Sequence, residues 1–130
     1  MKRGPADASG ELARGVDVYG LTPTGQMSEN EIEAARSVQY DRLNVQNQQR
    51  FTWTPSFAVV RSFVDQLVRA DAIDAKTLAK VNKFVDRAER FRENGQADAA
   101  RSQLLALAEQ LEGNSKYDAL VEALRDLADA

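Results

Sequence analysis

Five basic residues recur at three- and four-residue steps in the second half of the chain, and we call them the basic stripe. Its members are Lys76, Lys80, Lys83, Arg87 and Arg90. At 100° per residue they share one face of a helix, opposite Leu78, Val81 and Val85, with Phe84 and Phe91 beside them. Such a face can bind teichoic acid, an acidic glycan or an acidic protein. It is also the ordinary pattern of a solvated helix face, so both interpretations stay open.

A second candidate is the segment Arg50-Phe51-Thr52-Trp53, which contains the only tryptophan of the chain. An exposed aromatic ring beside an arginine can stack on a sugar ring or a base. An aromatic residue at a helix entrance can instead pack on the helices that follow. We therefore treat Arg50, Phe51 and Trp53 as candidate binding residues with a structural alternative.

Catalytic chemistry has few candidates, because the 130 residues include no Cys and no His. Thiolate nucleophiles, Ser-His-Asp triads and the usual zinc sites each lose a required member. Carboxylate pairs such as Glu29 with Glu33, or Asp126 with Asp129, fall on helix surfaces, where nothing raises a pKa for acid catalysis. We expect no catalytic residue, no metal site and no cofactor.

The elements that position these residues are short helices with recognisable starts. Ser28 and Glu31 form a capping box, followed at helical spacing by Ile32, Ala35, Val38 or Gln39, and Leu43. Thr54-Pro55 predicts an N-cap followed by proline in the first helical position. The face of that helix comprises Phe57, Val60, Val64 and Leu67, with Val59 and Phe63 beside it.

Three further helices follow. Asp74 predicts the next cap, with Ile73 and Leu78 as a hydrophobic staple, and Asn94-Gly95 predicts its end. A helix from about Gln96 ends before Gly113, and Ser115 is expected to cap the last one. The inward residues predicted for these two helices are Ala100, Leu104, Leu107, Ala108, Leu111, Leu120, Val121, Leu124 and Leu127. The last helix also carries an acidic stripe of Asp118, Glu122, Asp126 and Asp129.

The resulting fold class is all-α: an antiparallel helical bundle of four to five short helices with a glycine-rich N-terminal arm. Residues 1–27 are expected to be a flexible arm or linker, and residues 28–130 the bundle. Five of the 7 glycines lie in the first 25 residues, a density that opposes long helices. Within the arm, Val16 to Tyr19 alternates like a strand, which would have to pair with the bundle or a neighbouring domain.

The bundle pattern resembles a known family. Val60-Arg61-Ser62-Phe63-Val64-Asp65-Gln66-Leu67, Ala72-Ile73-Asp74, Leu78 to Ala88, and Gly95 with Ala99-Ala100 and Leu104 are similar to the FIMAH domain. The similarity covers about residues 58–128. It implies a helical module near the C-terminus of a secreted bacterial enzyme, with an accessory role beside a catalytic domain and no catalytic residues of its own.

Composition narrows the remaining functions. A net charge of −3 argues against a nucleic-acid partner. No apolar run approaches the roughly 18 residues of a membrane span.

We expect a non-catalytic accessory or interaction module of a larger secreted bacterial protein. Its partners would be the parent's catalytic domain, another protein, or an anionic glycan or cell-wall polymer. We expect an extracellular or cell-surface location, with a cytoplasmic one open. The alternative is a stand-alone helical adaptor, phage or regulatory, docking through its N-terminal arm.

Overall fold

The secondary structure consists of a short hairpin followed by helices. The computed structural model describes residues 6–11, 15–38 and 52–130. Its elements are strands β1 (Ala6–Glu11) and β2 (Gly15–Gly20), helices α1 (Glu29–Arg36), α2 (Phe57–Arg69), α3 (Ala75–Glu93), α4 (Ala97–Leu111) and α5 (Asp118–Asp129), and a 3-10 turn over Ser115–Tyr117. None of the helices in these ranges is both long and apolar enough to cross a lipid bilayer.

Helices α2 to α5 form the predicted bundle. Helix α4 packs against both α3 and α5, while α2 packs on α5 and, at fewer points, on α3. Short connections make α3 antiparallel to α4, and α4 antiparallel to α5. The largest fully buried side chains are Val60, Val81, Val85, Leu104, Leu107, Leu120, Leu124 and Leu127. The helical-bundle prediction is confirmed, and all nine inward residues predicted for the last two helices are buried.

The N-terminal segment contains a hairpin. Strand β2 includes the predicted strand at Val16 to Tyr19, and it pairs antiparallel with β1. The register places Ala6 opposite Gly20 and Glu11 opposite Gly15. The partner strand therefore comes from the same glycine-rich segment and not from the bundle. Its sequence, Ala6 to Glu11, has little β-branched or aromatic character, and so the strand was not predicted.

Several helix boundaries follow from local chemistry as predicted. The Ser28 hydroxyl accepts the Glu31 backbone N–H at 3.2 Å, and the Glu31 carboxylate accepts the Ser28 N–H at 2.6 Å, which completes the capping box. Asp74 caps α3 by accepting the Thr77 N–H at 3.1 Å. Gly95 follows the end of α3 with φ +77°, a conformation that a side chain disfavours.

Two predicted caps are wrong. Helix α2 begins after Ser56, whose hydroxyl accepts the Val59 N–H at 3.2 Å, so Thr54 and Pro55 lie before the helix. Likewise Asn114, not Ser115, accepts the backbone N–H at the start of the final helical segment. Ser, Thr and Asn cap helices with similar strength, so the local sequence does not decide which of two such residues close together is the N-cap.

Helix α1 is shorter than predicted and buries a different alanine. It ends at Arg36, and Leu43, assigned to its face, lies outside the described residues. Ile32 is buried as expected, whereas Ala34 is buried and Ala35 is exposed. Neighbouring alanines are equally apolar, so only the packing of α1 on α2 distinguishes them.

Candidate functional site

The basic stripe lies along the outer face of α3. All five of its side chains are exposed, while Val81, Val85 and Ala88 of the same helix are buried. The five positions fall within an arc of about 80°, and from Lys76 to Arg90 they extend about 21 Å along the axis. The helix thus presents a row of cations, roughly one per turn, on the side away from the core.

Within the described residues, no member of the basic stripe forms an ion pair. Four arginines elsewhere in the bundle are paired with carboxylates: Arg61 with Asp86 and Glu89, Arg69 with Glu31, Arg101 with Asp129, and Arg125 with Glu112. The ion pairs of the described bundle thus neutralise other cations, and the exposed side chains of the basic stripe have no carboxylate partner among these residues.

Two acidic residues of α3 face α2 and not the stripe. Arg61 donates to Asp86 at 3.1 Å and to Glu89 at 2.5 Å. The paired carboxylates raise the pKa of Arg61, with the Glu89 bond contributing most. The same guanidinium lies 5.9 Å from the centre of the Phe57 ring, and Arg92 lies 5.4 Å from it. This network joins α2 to α3 and pairs Asp86 and Glu89 with Arg61 and not with the basic stripe.

Phe91, the aromatic candidate beside the stripe, is only partly exposed. Its ring packs against the buried core, as does that of Phe84. A ring that packs in this way leaves only part of its surface for a bound ligand. The structure therefore assigns Phe91 mainly to packing and leaves the five cations as the accessible chemistry of this face.

Trp53 lies at a different surface. Its side chain is 52% exposed. It lines a cleft of about 290 Å³, the Trp53 cleft, whose residues are Thr52, Trp53, Pro55, Val59, Phe63, Glu122, Ala123 and Asp126. Arg50 and Phe51, the other candidates of this segment, lie outside the described residues. Trp53 thus shares a cleft with residues of α2 and α5, and no member of the basic stripe lines it.

The acidic stripe of α5 contributes one wall of this cleft. Glu122 and Asp126 line it, separated by one helical turn. Asp129 instead pairs with Arg101 of α4 at 3.0 Å. The sequence identified these acidic residues as a stripe but gave no sign that two of them share a cleft with Trp53, because α2 and α5 are joined only through tertiary packing.

At two sites the surroundings lower the pKa of a carboxyl group, whereas general acid catalysis at neutral pH requires a raised one. Hydrogen bonds from Arg69, with Ser28 contributing, lower the pKa of Glu31 to about 2. Hydrogen bonds from the Thr77 side chain and backbone lower that of Asp74. Both groups are ionised caps of helices. In the described ranges no three acidic side chains are gathered in an arrangement that could hold a metal ion.

Comparisons with protein-family models, curated proteins and solved structures returned no match. The two surfaces just described and the residue pattern of the bundle are therefore the features that point to a function.

Proposed function

We propose that this chain is a non-catalytic accessory or interaction module of a larger secreted bacterial protein, and that its basic stripe binds an anionic glycan or cell-surface polymer. The observation that carries the proposal is the row of five exposed cations without an ion pair among the described residues. An extracellular or cell-surface location, and a position beside a catalytic domain, belong to the same proposal and are supported by the FIMAH-like pattern of the bundle.

The spacing of the stripe suits a linear polyanion. Successive cations stand about one helical turn apart, roughly 5.4 Å. A polymer with repeated charges can contact several of them at once, whereas one exposed ion pair contributes only about 0.2–1 kcal/mol. Because the contacts are made in parallel, their combined strength grows with the number engaged. A monovalent anion would gain little from the same surface.

The proposal is tested by retention on heparin resin. Lys80→Glu with Lys83→Glu reverses the charge at the centre of the stripe and should elute at clearly lower salt than the unmodified chain. Arg36→Glu with Lys116→Glu changes the net charge equally at two exposed positions outside α3. If retention reflects the stripe and not net charge, this control elutes nearly as the unmodified chain does. Equal losses in both variants would refute the proposal.

A second candidate function uses the N-terminal hairpin. Strands β1 and β2 form a two-stranded sheet within the described residues, and such a sheet has little stability unless it packs on something else. A stand-alone adaptor that docks through this arm would satisfy that need. Light scattering after gel filtration discriminates the two functions. An oligomer that becomes monomeric when residues 1–26 are deleted favours the adaptor, and a monomer in both forms favours the accessory module.

A further inference from the structure

The Trp53 cleft combines two kinds of surface. Its apolar part includes Val59, Phe63 and Ala123, beside the half-exposed ring of Trp53. Its polar part includes Glu122 and Asp126. Carboxylates at neutral pH only accept hydrogen bonds, and an indole ring face attracts cations. A ligand that satisfies both surfaces must carry hydrogen-bond donors, preferably charged ones, on an apolar stem.

The charge around the cleft favours a cation over a neutral ligand. Neither Glu122 nor Asp126 forms a hydrogen bond or ion pair with another described residue. Asp118 and Glu112 line an adjoining depression, which also includes Glu122 and Asp126. The one basic residue there, Arg125, is paired with Glu112 at 2.9 Å. The two carboxylates of the cleft therefore carry negative charge that no described residue compensates, and a neutral sugar would leave them unpaired.

The size of the cleft suits one side chain. At about 290 Å³ it lies at the lower limit of small-molecule pockets. A guanidinium or ammonium group on its methylene stem could lie along the Trp53 ring and reach the two carboxylates, with a neighbouring apolar residue against Phe63. Arginine in particular stacks on aromatic faces and donates several hydrogen bonds in one plane.

We propose that the Trp53 cleft binds an arginine or lysine side chain, flanked by apolar residues, in a partner protein. The proposal does not rest on the function of the basic stripe, since α3 contributes no residue to the cleft. It adds a second surface of opposite charge preference to the same bundle.

Trp53 itself reports the binding, because it is the only tryptophan. The full chain is titrated with the blocked tripeptide acetyl-Leu-Arg-Leu-amide at low salt while its fluorescence is followed. We expect a saturable change at millimolar peptide. The peptide with citrulline in place of arginine keeps the shape but lacks the charge, and it should bind about fivefold more weakly, as expected for the loss of about 1 kcal/mol. Methyl glucoside should give no saturable change.

A pair of matched variants assigns the effect to the cleft. Glu122→Gln with Asp126→Asn should weaken the arginine peptide about fivefold. Glu93→Gln with Glu109→Gln removes the same charge from exposed positions on α3 and α4 and should leave binding unchanged. The proposal is overturned if the citrulline peptide binds equally well, if the glucoside saturates, if both variants lose affinity alike, or if no saturable change occurs. A fluorescence change that depends on protein concentration without peptide would assign the cleft to a second copy of the chain and also overturn it.

Discussion

Glu31 offers a direct test of how α1 is attached to the bundle. One carboxylate oxygen accepts the Ser28 N–H and an Arg69 N–H, each at 2.6 Å, and the other accepts a second Arg69 N–H at 3.1 Å. A single side chain thus completes the cap of α1 and joins it to α2. Glu31→Gln keeps the shape but removes the charge on which both interactions depend.

The stability that Glu31→Gln should lose follows from the pKa of Glu31, which Arg69 and Ser28 lower to about 2. Relative to an unfolded value of about 4.3, that shift corresponds to an upper limit of about 3 kcal/mol. The Arg69 side chain is 34% exposed and that of Glu31 16%. Solvent screening therefore reduces the expected contribution to about 1 kcal/mol. Because the folded pKa is depressed, this stability is present above pH 4.3 and is lost as the pH falls towards 2. At most about a quarter of this stability should remain at pH 2.5.

The assay is urea unfolding of the unmodified chain and Glu31→Gln at pH 7 and pH 2.5, with hydrogen exchange of the α1 amides to detect local opening. Glu33→Gln is the matched control. Glu33 pairs with Arg36 at 2.9 Å, but both side chains are more than 40% exposed, so its loss should cost less than about 0.5 kcal/mol. A Glu31→Gln effect that is equal at both pH values, or no larger than that of Glu33→Gln, would refute the proposed role of the Glu31 charge.

Three further measurements test the core, a turn and the cleft. Leu104→Ala should lower the free energy of unfolding by about 2–4 kcal/mol because Leu104 is fully buried. Leu105→Ala, at a neighbouring residue that is 37% exposed, should lower it much less. Equal losses in the two variants would contradict the assignment of Leu104 to the buried face of α4. Gly95→Ala should cost about 1 kcal/mol since φ is +77°, and Gly25→Ala, at a glycine with ordinary φ and open space, should be nearly neutral in the same unfolding assay. Trp53 is half exposed, so acrylamide should quench its fluorescence readily; a blue-shifted emission insensitive to the quencher would show that the ring is buried.

Helix number, core faces and most helix ends could be predicted because they depend on interactions within a few residues. The capping box at Ser28, the Asp74 cap and the Gly95 stop each join groups three or fewer residues apart. The inward residues of α4 and α5 follow from helical periodicity alone. The choice between Thr54 and Ser56 could not be made in this way, because both offer a hydroxyl at a plausible position.

The candidate surfaces also depend partly on local sequence and partly on tertiary packing. The sequence by itself determined the basic stripe, since residues on one helix have a fixed angular relation whatever surrounds them. Only the tertiary structure decided that Asp86 and Glu89 turn to Arg61, leaving the stripe without a partner among the described residues. It alone also decided that Glu122 and Asp126 line one cleft together with Trp53. Trp53 and the two carboxylates are about 70 positions apart in the sequence. The packing of α2 on α5 brings them to one cleft, and no local sequence pattern predicts that packing.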